Sequence, residues 1–140
     1  MEMKSAHTLE EIREIFKDDK FATEAAGAVI VDADVRYAKC EMELKDVHYN
    51  ASHTVMGGAI FTLADFTMAV AANGYREKTD TPSIDASMYY MKPAKGNKLI
   101  AEAKCVKPGR IINFYEVSIV DNLGNDVAHF SGKTYTVLPK

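Results

Sequence analysis

Cysteine is scarce in this chain, and runs of one charge are missing. Cys40 and Cys105 are the only thiols in 140 residues. Each sits in a segment that alternates like a strand, and with no framework of paired cysteines a reduced, cytoplasmic setting is expected. The 17 Lys and Arg residues are dispersed among 20 Asp and Glu, with a net charge of −3. That balance gives no electrostatic case for a nucleic acid or an anionic membrane as partner. The stretch from Met1 to Glu14 has no apolar run of signal-peptide type. The apolar stretch Met56–Ala72 is too short, and Asp65 too central in it, for a membrane span. Phosphate-binding and dinucleotide glycine patterns are absent, as are a Gly-x-Ser-x-Gly elbow and a Cys–His pair. No repeat, low-complexity tract or linker divides the chain. One domain over residues 1–140 is expected, with 1–20 as an N-terminal helical segment.

Charge is also missing locally, and there the absence becomes informative. Between Asp46 and Arg76 the one formally charged side chain is Asp65, in a sequence that is 26% charged overall. Around it, Met56–Ala72 is apolar on every side of a helical projection, which predicts a buried helix. A carboxylate there must be paired, hydrogen-bonded or turned to a cleft, so Asp65 is a candidate functional residue.

The rest of the chain divides by period. Thr8 and Glu11 form a capping-box pattern ahead of a short helix over about residues 9–18. Ala28–Val31 reads as a strand. Tyr37–Leu44 alternates, with Ala38, Cys40, Met42 and Leu44 on one face. Asn73-Gly74 predicts a left-handed end to the long helix. Four strands follow: Ser83–Met91, Leu99–Val106, Arg110–Val120 and Asp126–Leu138. Turn residues at Pro93–Asn97, Pro108-Gly109 and Asp121–Asn125 separate them. The expected class is α+β: a curved antiparallel sheet of five to six strands wrapped around one long central helix. Such a sheet covers only part of the helix, so a second subunit is expected to complete the burial.

Gly58, Thr62, Asp65 and Ala69 fall on one small, polar stripe of that helix. Gly57 and Gly58 open it, where the first N–H groups lack intrahelical partners and can hold an oxyanion. Gly57 and Asp65 lie eight residues apart, about 12 Å along the axis. One chain cannot bring both to a single carbonyl, so a site using both is shared between subunits. His48 and His53 stand five apart without an acidic or cysteine cluster, so no metal is expected.

The stretch Asn50-Ala-Ser-His-Thr-Val-Met56-Gly57-Gly58, continuing to Leu63-Ala64-Asp65, resembles the signature of hot-dog-fold acyl-CoA thioesterases of the PaaI-like group. Ser83-Ile-Asp85 and Tyr90-Met-Lys-Pro93-Ala94 resemble that family's next strand and its end. The resemblance covers roughly residues 20–138. It implies Asp65 as general base or nucleophile, the Gly57 amide as oxyanion donor, and Asn50 and Ser83 as groups that orient water or the thioester. Gly58, Thr62 and Met56 would line the substrate site, and Arg110 and Lys133 would meet coenzyme A phosphates. Tyr89, Tyr90, Phe61 and Phe66 suit an aryl or aliphatic tail. No cofactor is implied, since coenzyme A belongs to the substrate. A homotetramer built as a dimer of dimers is implied. Met56 departs from the pattern, because the family usually carries histidine there and a thioether cannot replace an imidazole. Two other activities use this fold: a non-catalytic acyl-CoA or lipid-binding module, and a hydratase or dehydratase. The latter needs a histidine paired with a carboxylate, and the long helix has none.

Overall fold

The computed structural model describes residues 3–139. Helix α1 (Leu9–Phe16) starts at Thr8, whose side chain accepts from the Glu11 N–H while Glu11 reaches back to the Thr8 N–H. This is the reciprocal cap expected from the sequence. A π-helical turn (Phe21–Ala25) follows, which no local pattern signals. Then come β1 (Ala28–Asp34), β2 (Tyr37–Glu43), α2 (Gly57–Asn73), β3 (Ser83–Tyr90), β4 (Lys98–Lys107), β5 (Ile112–Asp121) and β6 (Asp126–Tyr135).

The six strands form one antiparallel sheet in the order β1-β2-β4-β5-β6-β3. Placing β3 beside β6 makes it an edge strand, and β1 is the other edge. Register shifts interrupt four of the pairings, at Ile30/Asp32, Ser83/Asp85, Cys105/Lys107 and Ile119/Val120. Bulges of this kind bend strands and tighten their twist, which curves the sheet around α2.

The buried centre is built from Leu63, Met68 and Val70 of α2 against Met42, Leu99, Val117, Ile119 and Phe130 of the sheet. Contact is so close at Gly132 that a Cβ there would lie 2.5 Å from the Met68 sulfur. The C-terminal end of α2 is fastened by Asn73. Its side chain accepts from the Thr81 N–H at 2.9 Å and donates to the Thr81 carbonyl at 2.9 Å. The expected left-handed glycine end is not found. Gly74 has φ −60°, and a Cβ there would stand 2.7 Å from the Val70 carbonyl oxygen and 3.2 Å from Ile12 of α1.

Burial of α2 is incomplete along one stripe. Gly58 is exposed, and Phe61, Thr62, Asp65 and Ala69 are only partly buried. Among the described residues no helix is long and apolar enough to cross a membrane.

Candidate active site

The loop before α2 sets the first half of the site. The Asn50 side-chain oxygen accepts from the Ser52 N–H at 3.0 Å, and from the Thr54 N–H and hydroxyl at 3.2 Å each. This Asx-type knot, closed by a Tyr49–Val55 bridge, fixes the direction from which the chain enters the helix. The Asn50 side-chain N–H₂ has no acceptor among the described residues, so it remains available to a ligand. Next to the loop, His48 is buried. Its Nδ1 accepts from the Lys45 N–H at 2.9 Å and its Nε2 donates to the Ala26 carbonyl at 2.7 Å. Both nitrogens are engaged with backbone groups.

Met56 is the N-cap residue of α2, and its side chain makes no capping hydrogen bond. Its carbonyl already accepts from Ala59 and Ile60. The Gly57 and Gly58 N–H groups have no acceptor among the described residues, and they stand at the positive end of the helix dipole. Tyr90, from the end of β3, covers this spot: its hydroxyl donates to the Gly57 carbonyl at 3.1 Å. Gly57 and Tyr90 line a cavity of about 370 Å³ together with Thr54, Val55, Ile60 and Pro93.

Asp65 faces a second cavity of about 370 Å³, whose walls include Asp19, Phe21, Phe61, Thr62 and Phe66. Burial, followed by the nearby charge of Asp19, pushes its carboxyl above the ordinary aspartate value. A raised pKa is what a proton acceptor working near neutral pH needs. The Thr62 hydroxyl donates to the Gly58 carbonyl at 2.8 Å.

The structure therefore brings Thr62 to Asp65 and Tyr90 to Gly57, but it keeps the two halves in separate cavities within one chain. Ser83 opens β3, is exposed, and does not line the Asp65 cavity. Arg110 is exposed in the turn between β4 and β5. Lys133 points away from α2, on the outer face of the sheet, and donates to Asp85 at 2.9 Å. Asp19 and Phe21 escaped the sequence reading altogether. No period or motif marks them, and they reach Asp65 only through the fold.

A family model described as the thioesterase superfamily matches residues 52–128. The chain belongs to the thioesterase superfamily. A provisional esterase of Archaeoglobus fulgidus is 35% identical over 136 residues, 96% of this chain and 86% of that protein. The acyl-coenzyme A thioesterase PaaI of Escherichia coli K12 is 28% identical over 126 residues, 88% of this chain and 86% of its own. The solved structure of the E. coli PaaI protein from the phenylacetic acid degradation operon superposes with a TM-score of 0.83 at 22% identity. It covers 94% of both chains, and the shared architecture is the hot-dog fold.

Proposed function

We propose that this protein hydrolyses acyl-CoA thioesters to the free acid and coenzyme A, in sites shared between subunits of a homo-oligomer. The observation that carries this reading is the pairing of two half-sites on one helix. The unpaired Gly57 and Gly58 N–H groups suit a developing oxyanion, and a half-buried carboxylate of raised pKa stands about 12 Å further along the axis.

Water attacks the thioester carbonyl while Asp65 accepts its proton. The carbonyl π electrons move onto oxygen, facing the Gly57 N–H of the other subunit. Collapse of that tetrahedral species expels the coenzyme A thiolate, which takes up a proton. Asn50 has a free N–H₂ to orient water or thioester, and Ser83 would complete the Asp65 side from a neighbouring chain. Gly58, Thr62 and Met56 line the substrate path, while Arg110 and Lys133 serve the phosphates of coenzyme A. Direct attack by the Asp65 carboxylate is the competing route at the same residue. No cofactor takes part. The expected assembly is a dimer of dimers in the cytoplasm. The exposed edge strand β3, with Ile84 and Tyr89 uncovered, supports pairing between chains.

One observation favours a second reading, a non-catalytic acyl-CoA-binding module. The Met56 thioether, 55% exposed, lies beside Gly58 and offers no imidazole to the reaction. Thiol release from short, medium, long and aryl acyl-CoAs separates the two. Hydrolysis by wild type that falls about 10²–10⁴-fold in kcat in Asp65→Ala supports the hydrolase. Stoichiometric binding without turnover supports the module, and wild-type kcat in Asp65→Ala removes Asp65 from the mechanism.

A further inference from the structure

One wall of the Asp65 cavity is supplied by neither the sheet nor the central helix. Asp19, Lys20, Phe21 and Ala22 come from the segment between α1 and β1, outside the residues that the family model matches. Ala22 is buried and anchors that segment to the core, whereas Phe21 is 72% exposed. A phenyl ring left in water contributes little to folding.

Its mounting is nevertheless firm. The Phe21 carbonyl accepts from the Ala26 N–H at 2.9 Å, and the Thr23 N–H and hydroxyl both donate to the Asp19 carbonyl at 2.9 Å. The facing rings of α2 are held from behind: Phe66 edge-on to Phe16 at 5.8 Å, and Phe61 to Phe130 at 5.3 Å. Phe21 is thus the one cavity aromatic with a largely uncovered surface, and it sits on the cavity that holds the candidate base. An apolar cavity with a few placed polar groups is the general form of a small-molecule site.

We propose that Phe21 is a specificity-determining residue of the Asp65 site. Its uncovered ring packs against the apolar part of an acyl group whose thioester carbonyl lies at Asp65. Acyl groups of several carbons are thereby favoured over acetyl. The inference rests on the thioesterase reading above. Loss of the ring removes contact only from acyl groups long enough to reach it, so acetyl-CoA provides the internal reference. Apolar contacts of one or a few carbons discriminate by about 10–200-fold.

The test compares wild type, Phe21→Ala, Phe21→Leu and Val47→Ala on acetyl-, hexanoyl- and decanoyl-CoA. Val47 is 75% exposed and lies outside both half-site cavities, so its truncation controls for loss of a surface apolar group. The expected result is a hexanoyl-to-acetyl ratio of kcat/KM that falls about tenfold or more in Phe21→Ala. It should largely recover in Phe21→Leu and hold in Val47→Ala, with acetyl-CoA turnover unmoved. An unchanged ratio overturns the proposal. So does a Phe21→Ala protein whose mass by light scattering shows the assembly has come apart, since Phe21 would then be an interface residue. If wild type releases no thiol from any substrate, the thioesterase reading itself fails. Calorimetric titration with decanoate then decides the wall alone: weaker binding in Phe21→Ala supports it, and equal or absent binding in wild type overturns it.

Discussion

The Tyr90 hydroxyl donates to the Gly57 carbonyl at 3.1 Å, and its ring lies so close over the Gly57 Cα that a side chain there would have to push it aside. A Cβ on residue 57 would lie 3.1 to 3.3 Å from the ring and hydroxyl atoms. Gly57 therefore serves the close approach of Tyr90 rather than an unusual backbone angle. Gly57→Ala should displace the first turn of α2 from Tyr90 and misdirect the oxyanion donor. The expected loss in kcat is up to about 10²-fold, with folding retained by circular dichroism. Tyr90→Phe keeps the ring and should not relieve the clash, whereas Tyr90→Ala placed on Gly57→Ala should restore part of the rate.

Asp65 gives a prediction in pH, and the sign is set by burial. Its carboxyl is raised above the ordinary aspartate value, first by burial and then by the charge of Asp19. A base works deprotonated, so activity is lost as pH falls through that raised pKa. The acid limb of kcat should therefore lie above the ordinary aspartate range. Asp19→Asn removes the smaller of the two causes and should move the limb part of the way down. Stability moves in the same framework. A group whose pKa is higher folded than unfolded favours the fold when protonated, and that contribution disappears as pH rises through the folded pKa. Asp65→Asn should raise Tm at neutral pH, and the gain should shrink as pH falls through the raised pKa and be gone below the ordinary aspartate value. A neutral-pH Tm equal to or below wild type would contradict the burial account.

Asp121 makes the opposite case at the far end of the sheet. It is buried and accepts four hydrogen bonds at 2.9 Å each: from the Lys95, Leu123 and Asn125 N–H groups and the Asn125 side chain. Burial works to raise its pKa, yet these hydrogen bonds prevail and hold the carboxyl well below the usual range. Its stabilising contribution is present above the unfolded carboxylate pKa and is lost as pH falls toward the folded one. Asp121→Ala leaves those donors without their acceptor, and it should lower stability by about 2–4 kcal/mol in urea unfolding at neutral pH. The deficit relative to wild type should narrow in strong acid.

Most of the fold was legible because two periods dominate the chain. The alternation of Ala38, Cys40 and Met42, and of the strands after Ser83, requires no knowledge of partners. Asp65 stood out because charge is absent around it. What could not be read was long-range proximity. Asp19 and Phe21 line the Asp65 cavity because α1 and the π-helical turn pack back onto α2, and no local pattern encodes that return. The resemblance implies a coenzyme A contact for Lys133, but its pairing with Asp85 across β6 and β3, on the face opposite the one where Gly132 meets Met68, is set by the sheet order and not by any local pattern. Gly74 is right-handed instead of left-handed, and its lack of a side chain leaves room for the Val70 carbonyl and for Ile12, the second a contact between residues far apart in sequence.

The separation of Gly57 from Asp65 yields the most discriminating prediction, since it concerns which chains build one site. Take two variants that are each impaired alone: Gly57→Ala, and Asp65→Asn. If each site joins Gly57 of one chain to Asp65 of another, a heterodimer of the two variants contains one site with both defects. Its other site has neither. Unfolding and refolding an equimolar mixture pairs the chains at random, so half the dimers are mixed and half of their sites are intact. About a quarter of wild-type activity should return, with wild-type KM. A site contained within one chain would give no recovery at any mixing ratio, because every site would keep the defect of its own chain. The experiment needs no structure of the assembly, and its two outcomes differ by far more than assay error.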